Sequence, residues 1–337
     1  MNKAQYFFKC LREMHLNNYF DAVDKVHEKT GKNKFAIFCD MAYCGIKYSA
    51  GYVDYLQSSM WELNKEQRSQ IVTRGVNNQI ITKYNDPAYF HCFDDKNDFN
   101  TLFAKYIHRD WIYVKDENDR EKFNEFIKGR DFWMLKPLHG EGGNGVKKLP
   151  ATTESFDESK GSMPFLAEQV LKQHPTMAAL NPSSVNTLRM LTFVKDDGST
   201  ELAYTYLRIG YGDVVVDNFC SGGVVANVEL SNGTVECPAV DTDYNVITEH
   251  PLTGAKIQGL KIPYFEEARN MVLEAAKVVP QIRWVGWDIA ITPDGPAIIE
   301  GNQYPGYLFN FKVQHPEGGV KGRFEKIFGE PLDAKRA

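Results

Sequence analysis

The chain has 337 residues, 43% of them hydrophobic and 25% charged, and a formal charge of −5. These values suit a soluble globular protein of two or three packed units, and they exclude a basic footprint for nucleic acid. The six cysteines, at 10, 39, 44, 92, 220 and 237, form no CxxC pair or zinc spacing, and no run reaches the ~20 apolar residues of a transmembrane segment. A cytoplasmic location with plain thiols is expected, because no long apolar stretch follows the first lysine as a signal peptide requires.

Residues 1–88 read as helical. Tyr6, Phe7, Cys10, Leu11 and Met14 make one apolar stripe, and residues 19–27, 35–48, 53–63 and 65–81 continue the helical spacing. Two roles are open for this region: a packing domain, or a surface that docks a partner or selects substrate. Further on, the acidic run 94–98 precedes Phe99, Leu102, Phe103, Tyr106 and Ile107, as the helix dipole favours. Residues 116–127 repeat that design and stop at Gly129. His108-Arg109-Asp110 mimics a protein-kinase catalytic loop and is discounted. Lys115 stands where Asn is required, no Asp-Phe-Gly follows, and the triplet precedes the glycine-rich stretch.

Residues 132–138 read as a strand holding one lysine, Lys136. His139-Gly140-Glu141-Gly142-Gly143-Asn144-Gly145-Val146 follows. Gly140, Gly142 and Gly145 satisfy G-x-G-x-x-G, but a dinucleotide site needs a helix next, and Lys147-Lys148-Leu149-Pro150 comes instead. A P-loop fails as well, since Gly145 is not followed by Lys-Ser or Lys-Thr. What survives is a hairpin tip whose backbone N–H groups approach phosphates beside Lys136, set against a plain mobile surface loop.

After a polar linker at 151–163, strands are expected at 165–171, 185–194 and 201–211, with Asp197-Gly198 as a turn. Residues 224–230 and 234–240 flank Ser231-Asn232-Gly233 in the same way. Residues 263–279 make an amphipathic helix with Phe265, Ala268, Met271, Val272 and Ala275 inward. Many antiparallel strands with a few helices define an α+β fold. Arg189 and Arg208 lie on strands, either as ligands for phosphate or carboxylate or as structural ion-pair partners.

The last strong feature is residues 287–302, two strands joined by Pro293-Asp294-Gly295. With Thr292 facing Pro296, Ala290 falls opposite Ile298 and Asp288 opposite Glu300. Glu300 and Asn302 then share one face, which Asp288 joins. Two opposed carboxylates repel, and a hard cation such as Mg²⁺ relieves this with oxygen ligands. A wet sheet face with acids there by chance is the competing reading.

Lys96, Lys136-Pro137 with the glycine loop, Glu168 on its strand, Arg189, Asp288 and Glu300-Gly301-Asn302 occur in an order that resembles an ATP-grasp protein over residues 96–305. Within that superfamily, Ser184-Val185-Asn186-Thr187-Leu188-Arg189, Asp217-Asn218 with Gly222-Gly223, and Gly286-Trp287-Asp288-Ile289-Ala290 resemble the sugar-transfer-associated group, whose members occur with polysaccharide-assembly genes. The resemblance implies a helical region at 1–88, a lid subdomain at 89–164 and a C-terminal subdomain at 165–337, with the two α+β subdomains clasping ATP.

It further implies that Lys96 and Lys136 hold phosphates and that Gly140, Gly142, Gly143 and Gly145 close over them. Glu168, Gln169, Val170 and Leu171 form the adenine hinge, and His174 stands where many members carry a ribose ligand. Asp288, Glu300 and Asn302 bind Mg²⁺, with Mn²⁺ as the alternative. Lys136, Arg189 and Arg208 serve catalysis, and Asn186, Arg208 and Asn218 surround the acceptor. The implied reaction is an ADP-forming carboxylate–amine ligation through an acylphosphate, on a sugar or amino-acid substrate for surface polysaccharide. A small-molecule kinase and a non-catalytic ATP-binding regulator are the alternatives. The partners expected are small carboxylates and amines, together with a homo-oligomeric copy or polysaccharide-assembly enzymes.

Overall fold

The computed structural model describes residues 16–140, 143–211, 219, 222–306, 312–315 and 319–332. Expectations that fall on residues 6–14, Gly142, Asp217 and Asn218 lie outside them. Two compact units divide the chain: residues up to Tyr84 with those from Gly306 onward, and residues 85–305. The segment from Gly306, expected with the last strands, thus groups with the N-terminal helices.

The first unit is helical among its described residues. Its helices Leu16–Thr30 and Lys34–Tyr48 are joined at Asn33, whose Oδ1 accepts from the Phe35 and Ala36 amides at 2.9 and 3.2 Å. The single helix expected over 65–81 is two, Lys65–Ser69 and Arg74–Tyr84. Buried Asp54 explains the second start, since its Oδ1 accepts from the Arg74 amide at 3.0 Å. Thr73 sits at the same helix start, its Oγ1 accepting from the Val76 amide at 3.4 Å and donating to the Tyr48 carbonyl at 3.0 Å. Arg68 clamps Asp40 bidentately at 2.7 and 2.8 Å, and Tyr55 donates to the same carboxylate at 2.7 Å. Glu330, just past the helix Lys321–Phe328, accepts from both Lys83 and Tyr84. No helix among the described residues is long and apolar enough to cross a membrane.

The second unit carries two antiparallel sheets, as the α+β reading expects. The smaller holds β1 (Trp111–Val114), β2 (Phe132–Pro137), β3 (Lys147–Pro150) and β4 (Phe165–Gln169) in the order β1-β4-β2-β3. The pattern of residues does not announce β1, because four residues are too few for alternation to stand out. Trp133, Leu135, Phe165 and Ala167 face one way and pack with Phe123, Phe126 and Phe156 from flanking helices. Lys136 and Glu168 therefore face the other way.

The larger sheet holds β5 (Thr187–Val194), β6 (Thr200–Ile209), β7 (Val224–Asn227), β8 (Ala239–Val240), β9 (Val246–Ile247), β10 (Trp284–Thr292) and β11 (Gly295–Asn302). Their order is β11-β10-β5-β6-β7-β8-β9. The strand expected at 234–240 narrows to β8, because Pro238 has no N–H to continue a ladder. On one face Leu188, Met190, Leu207, Trp287 and Ile289 pack with Phe93, Phe99, Phe103 and the helix Phe265–Ala275. The period of two then puts the polar residues on the opposite face. One transverse row there reads Glu300, Asp288, Arg189, Tyr206 and Asn227.

Candidate active site

The hairpin β10–β11 forms where expected, with a different register at its turn. Thr292 pairs with Gly295 and Ala290 with Ala297, one residue off the expected partners. A bulge at Ile299 then takes up the extra residue, and Asp288 returns to its place opposite Glu300. Gly301 has a packing reason. A Cβ there would lie 2.8 Å from Phe99 and 2.9 Å from Phe93, so the residue between Glu300 and Asn302 has to be small. Gly286 has another, because a Cβ would lie 2.9 Å from Pro305 and 3.1 Å from the Cδ of Arg189.

Asp288 is buried and bonded to both strand arginines. Arg189 grips it through Nε and, at 2.9 Å, through Nη2, while Arg208 Nη1 stands 3.1 Å from its Oδ2. Burial alone would raise this carboxyl, but the two guanidinium charges outweigh it and hold it down at about 2. Glu300 goes the other way. Burial raises its carboxyl, and the adjacent Asp288 charge raises it further. The row thus pairs one carboxylate fixed in its ionised form with one that resists ionisation beside it.

Glu168 is the centre of a second buried cluster. Arg109 donates to it from Nε at 2.7 Å and Nη2 at 3.1 Å, Lys136 lies 2.7 Å from Oε2, and Asn100 donates to Oε1 at 2.9 Å. Burial opposes its charge, but Arg109 and Lys136 prevail and hold the carboxyl well below the usual range. Lys136 is lowered first by burial, against the pull of Glu168; Glu300 lies near enough to act on it too. Arg109 belongs to the discounted His108-Arg109-Asp110 triplet, which has a structural place here unrelated to kinases. The sequence holds a faint signal for it, a lone cation between the apolar Ile107 and Trp111.

The remaining expected residues divide into two groups. Lys96 Nζ donates to the Gly140 carbonyl at 2.9 Å, which ties it to the glycine loop. That loop is the tip of the β2–β3 hairpin, with positive φ at Gly140, Gly143 and Gly145. Gln169 ends β4, its Oε1 accepting from the Asp110 amide at 3.1 Å, and half-buried Val170 and Leu171 follow. His174 and Asn186 each bond to neighbouring backbone. His174 Nδ1 accepts from the Thr176 amide at 3.2 Å. Asn186 donates to the carbonyls of Met177 and Asn181 at 2.9 and 3.0 Å and accepts from the Gly210 amide at 3.2 Å, holding the loop before β5.

A hard divalent cation fits the β10–β11 donor set. Asp288, Glu300 and Asn302 bring oxygens to one face. Both Asp288 oxygens are engaged by the two arginines, and Glu300, raised by burial and by the Asp288 charge, is the acid a cation would relieve. Asn302 Oδ1 accepts from the Tyr304 amide at 2.8 Å, which orients it. Two carboxylates and an amide oxygen are hard donors, which suit Mg²⁺ or Mn²⁺ better than a softer metal. Among the described residues no group of three or more His, Cys, Asp or Glu is placed to hold a metal.

No curated protein matches the chain. Among solved structures it is similar to the ATP-grasp ligase PsnB complexed with precursor peptide PsnA2 and AMPPNP, at 16% identity and TM-score 0.40, over 66% of this chain and 54% of that one. It is also similar to D-alanyl-alanine synthetase A from Vibrio cholerae, at 10% identity and TM-score 0.42, over 70% and 60% of the two chains. N5-carboxyaminoimidazole ribonucleotide synthetase from Thermotoga maritima follows at 12% identity and TM-score 0.38, over 65% and 44%. The chain spans little more than half the length of PsnB. The family model for sugar-transfer-associated ATP-grasp proteins matches residues 149–327, more than half of the sequence, and the chain belongs to that family.

Proposed function

We propose that the protein is an ADP-forming ATP-dependent ligase that joins a carboxylate to an amine through an acylphosphate. Family membership supports the nucleotide, and the paired arginines around a buried carboxylate row carry the rest of the reading. In this account Lys136 and Lys96 bind the phosphates, and the N–H groups of the glycine loop donate to them. The backbone of residues 169–171 receives adenine. Asp288, Glu300 and Asn302 hold Mg²⁺ or Mn²⁺, and the ion when bound neutralises charge on the phosphate oxygens.

The reaction balances in two steps. A substrate carboxylate oxygen attacks the γ-phosphorus, the bond to the β–γ bridging oxygen breaks, and ADP leaves. An amine nitrogen then attacks the acyl carbon, and phosphate leaves with the former carboxylate oxygen and takes up the amine's proton. Arg189 and Arg208 offset the negative charge on the transferring group, held in aim by Asp288. The acceptor is a sugar-linked or amino-acid carboxylate, following the family's association with sugar transfer.

The test is ATP turnover with pooled carboxylates, amino acids and uronic acids included, and hydroxylamine as a generic nucleophile. ADP accompanied by a carboxylate-dependent hydroxamate is expected. ADP that responds only to hydroxyl-bearing acceptors would replace the ligase with a kinase. ATP binding with no turnover in any pool would favour a regulator.

A further inference from the structure

We propose that Arg109 is a positioning residue that fixes Lys136 and Glu300 against each other across the two sheets. The proposal rests on the nucleotide site above and adds to it a residue that site did not use. Arg109 is buried, and its guanidinium reaches both sheets. Toward the small sheet it forks onto Glu168 at 2.7 and 3.1 Å. Toward the large sheet Nη1 donates to the Ile298 carbonyl at 2.6 Å and Nη2 to the Ile299 carbonyl at 3.2 Å. Nη1 also lies 3.3 Å from the Ile107 carbonyl.

What lies beyond each contact gives the arrangement its meaning. Glu168 Oε2, which accepts from Arg109, also lies 2.7 Å from the Lys136 ammonium. Ile299 is the bulge residue that restores the register of Glu300, and Arg109 holds its carbonyl. One planar group therefore sets the anion that anchors the phosphate lysine and the kink that aims the metal-side carboxylate. His108 supports the same strand, its Nδ1 2.8 Å from the Pro296 carbonyl. Lysine cannot reproduce this, because a single ammonium lacks the fork that meets a carboxylate and two carbonyls in one plane. The charged groups facing Lys136 are Glu168 on β4, Arg109 just before β1 and Glu300 on β11.

The test uses the full chain and ADP, titrated by calorimetry with and without Mg²⁺. Arg109→Lys keeps a cation beside Glu168 and releases the bulge. Its ADP affinity is expected to fall about tenfold with Mg²⁺ present and to change little without it, as outer-shell partners of metal ligands behave. Affinity for Mg²⁺–ADP within about twofold of the unaltered protein would overturn the proposal, as would equal losses with and without the metal. If Arg109→Lys does not fold, Arg109→Gln is read in the same way. It leaves Lys136 paired with Glu168 but removes the fork that reaches the Ile298 and Ile299 carbonyls, so a loss of about tenfold confined to Mg²⁺–ADP is expected. Affinity within about twofold of the unaltered protein in both titrations would overturn the proposal. Failure of the unaltered protein to bind Mg²⁺–ADP would overturn the nucleotide site itself and this inference with it.

Discussion

Asp288 and Glu300 face each other across one hairpin, and their surroundings treat them oppositely. Two guanidiniums keep Asp288 ionised, so its ion pairing contributes fully above the ~4 of an unfolded aspartate and is lost as pH falls through about 2. Glu300 takes its raised carboxyl from burial and from Asp288. Glu300→Gln is therefore expected to cut Mg²⁺-dependent turnover by on the order of 10²-fold while leaving the thermal midpoint in place. Unchanged turnover would remove this hairpin from the site. Lys136→Ala should weaken ATP binding by roughly ten- to a hundredfold, the worth of a charge-assisted hydrogen bond. Glu168 retains Arg109 and Asn100 in that variant, so the loss should appear in binding rather than in folding. Equal affinity would mean that Lys136 serves Glu168 alone.

At the scale of elements, the hairpin shows what local rules do and do not reveal. Alternation and a Pro-Asp-Gly turn announce two strands and place Asp288 opposite Glu300. They do not announce the bulge at Ile299, because a tighter turn and one extra residue cancel each other in the count. Arg109 was illegible for a different reason. Its partner Glu168 lies 59 positions away, and the one local signal, a cation between apolar Ile107 and Trp111, does not by itself tell a brace from a chance triplet. The break between Lys65–Ser69 and Arg74–Tyr84 was hidden in the same way, since Asp54 caps the second helix from outside it. The spacing of Glu300-Gly301-Asn302 is tied to the core behind it. Gly301→Ala is expected to destabilise the protein by about 1–3 kcal/mol, since Phe93 and Phe99 must give way. Denaturant unfolding checks this, and a cost near zero would show that those rings move freely.

For the whole molecule, pH dependence gives access to the helical unit. Burial pushes the Asp54 carboxyl up to about 7, despite its bonds from the Gly51 and Arg74 amides. A raised folded value means the native state holds the proton more tightly. That contribution is fully present below an unfolded aspartate's ~4 and is lost as pH rises through about 7. His315 opposes it over part of the range, being lowered to about 4 by burial, so its contribution grows as pH rises toward the ~6.5 of an unfolded histidine. The comparison with Asp54→Asn isolates the aspartate. The variant is expected to lose less stability than the unaltered protein between about pH 4 and 7, measured by thermal melts. Parallel curves would place the Asp54 value near that of an ordinary carboxyl.

The central proposal, activation of a carboxylate by ATP, is tested most directly by following oxygen. With the acid identified by the hydroxamate assay and labelled with ¹⁸O in its carboxylate, turnover in unlabelled water should deliver one ¹⁸O into each molecule of inorganic phosphate. ADP formed alongside unlabelled phosphate would mean that water, and not the carboxylate, attacks ATP. That result would contradict the ligase account.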